Sequence, residues 1–309
     1  MPTGFFIFCS HADPCRLPRT WFDMLRIAIP NKGRLNLDAR SVLTDAGLEV
    51  RSSSDRALVA SLGGEFEAIF VRAQDIPEFV ADGAADAGIT GWDLTAESGR
   101  DIESRLDLEF GRCRLVLAVR EESSVRAVAD IPQGARVATV FPNLTRRYFA
   151  AAAKDVELVP MSGAVEISPH LGIADIIVDL TSTGSTLRVN GLREVDTVLE
   201  STARLVIARR ARDEARERTL DELTASLASV LAARDRRYVM ANVPRARLAD
   251  VKRILPGISG PTVIDVMNGG SMVAVHAVAP AASIYRTINE LKSVGGEGIL
   301  VTRIERLMA

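Results

Sequence analysis

From Asp179 to Thr186 the chain reads Asp-Leu-Thr-Ser-Thr-Gly-Ser-Thr, a carboxylate followed by five hydroxyls and one glycine. This composition suits a phosphate. Free backbone N–H groups converge where a helix opens, the helix dipole is positive there, and hydroxyls add donors. The apolar run Ile173–Val178 reads as a buried strand. Leu187-Arg188-Val189 then predicts a short helix opening near Ser182 or Thr183. Asp179, at the strand's carboxyl end, is placed to meet a ribose hydroxyl or a metal-bound diphosphate. No Gly-x4-Gly-Lys-Ser/Thr segment occurs in the chain, so the loop suits a compact phosphomonoester better than a nucleoside triphosphate cradle. An ordinary helix cap after a core strand explains the same residues.

Other residues share this potential. Pro30-Asn31-Lys32-Gly33-Arg34 follows a short strand, and its two cations sit where ligands of α/β domains collect. A solvated basic turn is the alternative. Arg72 precedes Asp75-Ile76-Pro77, and Ala87-Gly88-Ile89-Thr90 ends in Gly91-Trp92-Asp93. Gly91 lets a ligand approach the backbone, while Thr90 and Asp93 can cap the next helix. Asn143 is expected to cap a helix from Leu144 that carries Arg146 and Arg147 in its first turn. Cations there oppose the helix dipole, which points to an anionic ligand or to a carboxylate partner.

These residues need strands and helices to hold them. From Met24 to about Phe110, strands at Leu25–Ile29, Ala57–Ser61, Phe66–Val71 and Ala87–Ile89 alternate with helices at Leu35–Ala46, Ile76–Ala81 and Asp93–Ser98. A second alternating unit has strands at Leu115–Arg120, Arg136–Thr139, Glu157–Pro160 and Asp175–Val178. Its helices are Val125–Ala129, Leu144–Ala153 and Ala164–His170. Such alternation predicts mostly parallel sheets flanked by helices. A return segment spans about Asp196–Arg209, and a long helix about Asp213–Arg234; Arg204–Arg218 reads as a mixed-charge helical face. The remainder reads strand Val239–Val243, helix Pro244–Leu255, strands Thr262–Val266 and Ser271–Val278, helix Pro280–Ser293 and strand Gly298–Arg303. That βαββαβ order is the ferredoxin-like split unit.

Composition sets bounds. The 309 residues are 47% hydrophobic, enough for two or three cored domains. A formal net charge of −2 and an isoelectric point near 6.0 argue against a nucleic-acid footprint. No apolar run approaches the roughly 20 residues of a membrane span. Residues 1–23 carry a short apolar stretch without the features of a signal peptide, and read as a disordered extension or a mis-assigned start. Cys9, Cys15 and Cys113 lack metal-ligand spacing, which fits a reducing cytoplasm. His11, His170 and His276 lack a cluster partner; His170 is expected at the surface or in helix packing.

Glu166, Gly172, Ala174, Ile177, Asp179, Leu180, Thr183, Gly184, Thr186 and Leu187 resemble, position by position, the signature of the ATP phosphoribosyltransferase family. Pro30–Leu35 resembles the family's opening element, and Arg72–Asp93 its next conserved block. The resemblance runs from about Met24 to the C-terminus and is to the family's long form. It implies a bilobed, periplasmic-binding-protein-like catalytic core. Lobe I would comprise 24–113 and 206–235, lobe II 114–205, and a ferredoxin-like regulatory domain 236–309.

It further implies condensation of ATP with phosphoribosyl pyrophosphate, releasing pyrophosphate, as the first step of histidine biosynthesis. Asp179, Thr181, Ser182, Thr183, Gly184, Ser185 and Thr186 would hold phosphoribosyl pyrophosphate. Lys32, Gly33, Arg34, Arg72, Thr90 and Asp93 would meet ATP or a polyphosphate, with Mg²⁺ entering on the substrate diphosphate. Asn242, Thr262 and Gly298 would bind inhibitory histidine. A close family member has Asp at position 242, so charge assistance is lost there unless Asp265 substitutes. The expected partners are the substrates, histidine and further copies of the chain, as dimer or hexamer in the cytoplasm, with neither nucleic acid nor membrane. A solute receptor or transcriptional effector domain on the same fold is the rival reading; the absence of a signal peptide and of a helix-turn-helix speaks against it.

Overall fold

The computed structural model describes residues 24–51, 57–267 and 270–308; the expectation for residues 1–23 lies outside them. The described residues form three sheets. The first draws on β1 (Leu25–Pro30), β2 (Val59–Gly63), β3 (Phe66–Val71), β4 (Ala87–Gly91) and β5 (Ile102–Asp107). Helices α1 (Arg34–Asp45), α2 (Ile76–Ala81) and α3 (Trp92–Ser98) connect them. The second contains β6 (Cys113–Arg120), β7 (Ala135–Thr139), β8 (Val156–Pro160), β9 (Ile176–Thr181) and β10 (Leu192–Ser201), with α4 (Pro142–Ala151) and α5 (Ser185–Val189). The chain then returns as β11 (Ala203–Ala208) and α6 (Glu214–Arg234).

Strand order in the first sheet is β2-β3-β1-β4-β11-β5. β1 runs parallel to β3 and β4, so the loops after β1, β3 and β4 share one edge. β11 lies antiparallel between β4 and β5. In the second sheet, β10-β6-β9-β7-β8, β7 lies parallel to both β8 and β9. The carboxyl ends of β7 and β9 are thus neighbours, where the order reverses and ligands of such sheets collect. Apolar alternation builds separate cores. Ile27, Ile29, Leu43, Leu62, Leu205 and Leu227 close the first, while Leu115, Leu117, Val137, Phe149 and Val178 close the second.

The third sheet holds β12 (Arg236–Pro244), β13 (Thr262–Asp265), β14 (Met272–Pro280) and β15 (Glu297–Arg303), crossed by α7 (Leu248–Ile254) and α8 (Ile284–Ser293). Its order β13-β14-β12-β15, antiparallel throughout, is the ferredoxin-like arrangement. Val239, Ala241, Val243, Val273, Val275 and Leu291 pack on one face. Met240, Ile264 and Leu300 remain exposed on the strands.

The structure corrects several readings. β5 was not expected. Arg204 lies in strand β11, not on a helical face, and the first sheet takes the chain back at Ala203. The helices expected at Val125–Ala129 and Ala164–His170 are single 3-10 turns at Val128–Asp130 and Val165–Ile167. Pro244 ends β12, and α7 starts only at Leu248. Asn143 does not cap α4, which opens at Pro142.

Candidate functional site

β9 carries Asp179 to the sheet edge, half-buried and with no ion pair among the described residues. Its Oδ1 accepts from the amide of Leu180 at 2.8 Å. Burial pushes its pKa up to about 6, nearby Glu166 adds to this, and the Leu180 amide opposes both. Thr181 is buried, and its hydroxyl accepts from the Gly184 amide at 2.8 Å. That bond closes the turn, so Thr181 shapes the loop. Gly184 stands at φ +73°, where a side chain is strained. A Cβ there would also lie 2.8 Å from Glu194 Oε1, whose carboxylate pairs with Arg114 at 2.8 Å.

The helix opens at Ser185, later than Ser182 or Thr183. The Thr183 and Ser185 hydroxyls bond each other at 2.9 Å. The amides of Ser182, Thr183 and Thr186 meet no acceptor among the described residues, and all three side chains are exposed. The loop therefore offers three amides and two unused hydroxyls, those of Ser182 and Thr186, beside a carboxylate.

On the first sheet, Lys32, Arg34 and Arg72 are exposed and form no ion pair among the described residues. They share one edge because Pro30 pairs with Val71, and Asn31 N donates to Val71 O at 2.7 Å. Gly33 caps α1 at φ +82°. At the crossover, burial and then the Asp93 charge push the Cys113 thiol pKa up, against smaller opposing effects of the Ser201 hydrogen bond and the Arg34 charge. This edge suits a polyphosphate.

Thr90 and Asp93 are placed differently from expectation. Thr90 is fully buried and donates to Ala73 O at 2.8 Å, which fixes the loop after β3. Asp93 is buried, its pKa raised by burial. Its Oδ1 accepts from Ser201 Oγ at 2.5 Å, while its amide donates back to that oxygen at 3.0 Å. Ser201 ends β10, so this pair pins the crossover between the sheets rather than facing a ligand. A Cβ at Gly91 would collide with the Asp93 carboxylate, so glycine there clears a side chain.

Sequence reasoning missed Glu97. This α3 residue accepts from the amides of Asn143 and Leu144, both at 2.8 Å, and so caps α4 from the other lobe. Arg147 donates to Ala96 O in the same contact. Glu97 thus supplies the anion at this opening to the amides. Arg146 Nη1 donates to Asn143 Oδ1 at 3.1 Å, and neither arginine pairs with a carboxylate among the described residues. The remaining signal was an unmatched helix opening in one lobe and an acidic residue near a helix end in the other.

In the third sheet Asn242 and Gly298 meet: a Cβ on Gly298 would lie 3.6 Å from Asn242 Nδ2. Thr262 pairs with His276 on β14, so a strand separates it from β12. Asp265 is engaged by Arg245 and is not free to replace the missing charge. Glu297, directly opposite Asn242, is an exposed carboxylate beside it. His170 is exposed, and its Nε2 bonds Asn190 O at 2.7 Å.

Two α/β lobes with a cationic edge on one and an open amide-hydroxyl loop on the other define a phosphate-handling α/β protein. The family model for ATP phosphoribosyltransferase matches residues 72–229, and that for "HisG, C-terminal domain" matches 233–306. An ATP phosphoribosyltransferase of Gemmatimonas aurantiaca is 65% identical over 291 residues, covering 92% of this chain and all of that protein. One of Halobacterium salinarum is 51% identical over 286 residues, again with 92% and complete coverage. A structure of the Thermotoga maritima HisG:HisZ complex superposes with TM-score 0.57 at 31% identity, over 66% of this chain and 99% of that one. The chain belongs to the ATP phosphoribosyltransferase family, whose reaction is the first step of histidine biosynthesis.

Proposed function

We propose that the Asp179–Thr186 loop grips the 5′-phosphate and ribose of phosphoribosyl pyrophosphate while Lys32, Arg34 and Arg72 hold polyphosphate from the first lobe. N1 of the ATP adenine then attacks the anomeric carbon, pyrophosphate departs, and phosphoribosyl-ATP forms. The observation that carries this is the set of amides at Ser182, Thr183 and Thr186, without an acceptor among the described residues, beside Asp179. Positive charge grows on the ribose ring and negative charge on the diphosphate. The site therefore works through alignment and fixed charge. Asp179, ionised above about pH 6, faces the ribose as an acceptor.

Among the described residues no three His, Cys, Asp or Glu side chains cluster as a metal cage. Asp179, half-buried and without an ion pair among the described residues, fits Mg²⁺ that arrives on the substrate diphosphate. When bound, the ion neutralises charge on the leaving group.

The C-terminal sheet is proposed to bind histidine near Asn242, Gly298 and Glu297, with Glu297 in place of the missing aspartate; Thr262 joins only through β14. Inhibition then couples two sites through association of dimers into hexamers in the cytoplasm. No helix among the described residues is long and apolar enough to cross a membrane. Pyrophosphate release from ATP plus phosphoribosyl pyrophosphate tests the activity, and its absence with folded protein would refute it. Removing residues from 236 onward tests the regulation. A truncated, soluble and active enzyme with unchanged histidine sensitivity would disprove that assignment.

A further inference from the structure

Where the first lobe meets the C-terminal sheet, a cavity of about 480 Å³ opens between the ends of α1, α6, β12 and β15. Arg234, Arg237 and Arg303 line it. Arg237 and Arg303 are cross-strand partners in the β12–β15 ladder, so two like charges stand directly opposite each other. Such a pairing costs stability. None of the three arginines forms an ion pair among the described residues, although the carboxylates Asp45 and Glu305 line the same cavity.

Backbone carbonyls hold part of the cluster. Arg237 Nη1 donates to Arg234 O at 3.2 Å and Arg236 O at 2.6 Å, and Arg234 Nη1 donates to Leu108 O at 3.4 Å. These bonds account for one nitrogen of each guanidinium. Arg303 makes no side-chain hydrogen bond among the described residues. Two planar forks on adjacent strands, with most donors unused, match the oxygens of a phosphate group. Val230 and Ile304 add an apolar floor, and the volume lies within the range of small-molecule sites.

We propose that this cavity is a second anion site, binding a phosphate-bearing small molecule that bridges the first lobe and the C-terminal sheet. Bound phosphate relieves the Arg237–Arg303 repulsion. It also fixes the junction at the end of α6, where the C-terminal sheet joins the first lobe. The ligand is either an inorganic phosphate species or a nucleoside phosphate whose ring rests on Val230 and Ile304.

Calorimetric titration of the full-length protein with inorganic phosphate tests this. Two equivalents per chain are expected, one in this cavity and one at the Asp179–Thr186 loop. Arg303→Ala should weaken the first roughly ten- to a hundredfold while sparing the second; Thr186→Ala, which removes a hydroxyl donor from the loop, should do the reverse. Loss of the loop equivalent alone would count against the proposed substrate site, and loss of the cavity equivalent alone against this inference. Arg237→Gln serves as a second probe should Arg303→Ala fold poorly. Asp45→Asn should tighten binding, which a purely structural cluster would not do. Tighter uridine monophosphate than phosphate identifies the nucleoside source; equal binding identifies the inorganic one. A single equivalent in the wild type, weakened by Thr186→Ala, overturns the proposal, as does a second equivalent indifferent to Arg237 and Arg303.

Discussion

Two chain segments follow neighbouring parallel strands of the second lobe, and they meet opposite fates. After β7, the first amides of α4 donate to Glu97, a carboxylate supplied by the first lobe. After β9, the amides of Ser182, Thr183 and Thr186 find no acceptor among the described residues. Both openings have the same positive dipole end. What separates them is whether the fold itself supplies the anion. The filled opening is a clasp between lobes, and the open one is available to substrate.

The largest effect should come from the open loop. Asp179→Ala and Thr186→Ala should each weaken phosphoribosyl pyrophosphate by roughly ten- to a hundredfold, from about 1.5–3 kcal/mol of lost contact, and ATP by less. Separate binding titrations check this, and equal losses for both substrates would erase the distinction between the openings.

Acid should act on the same loop. Protonation of Asp179 near pH 6 removes its acceptor, so kcat/KM for phosphoribosyl pyrophosphate should fall as pH drops through about 6. Asp179→Asn should flatten that limb. The linkage to stability has a definite sign. The folded pKa exceeds the unfolded value of about 3.9, so the favourable contribution is complete below that value and lost as pH rises through about 6. Asp179→Asn should therefore stabilise the free protein by about 1–3 kcal/mol at pH 8 and leave it unchanged at pH 3. Urea unfolding at the two pH values decides.

Glu97→Ala should cost about 1–2 kcal/mol of stability, as loss of a helix cap does. Its effect on phosphoribosyl pyrophosphate should be much smaller than that of Asp179→Ala. A loss of binding as large would make the clasp part of the substrate site. Asn143→Ala should cost least, below about 0.5 kcal/mol, because Glu97 and not Asn143 holds the opening. Thermal unfolding of the two variants ranks them.

The loop itself was legible because its residues are contiguous: an apolar strand, a carboxylate, then hydroxyls. The alternation of strands and helices gave both lobes and the βαββαβ unit for the same reason. Contacts made across long separations were hidden. Glu97 and Asn143 are 46 residues apart. Asp93 and Ser201 are 108 apart, so a cap reading of Asp93 was the natural local inference. β5 carries Glu103, Ser104, Arg105 and Asp107, a polar run that becomes a strand only because β11 lies beside it. Arg204 was drawn into a helical reading by the charged residues after it, whereas the apolar Leu205–Ala208 pairs with β4 and β5.

The position of β11 has a consequence for how the molecule is made. Residues 113–201 contain every strand of the second sheet, so that lobe can form as soon as it leaves the ribosome. The first sheet cannot. β4 and β5 both wait for β11, whose partners were synthesised about 100 residues earlier. Until then β4 presents an open edge, the kind of surface that recruits stray strands. Pairing over that separation closes slowly. The lobe synthesised first is thus the last to finish, and the nascent chain is most prone to aggregate in the interval before Ala203–Ala208 emerges.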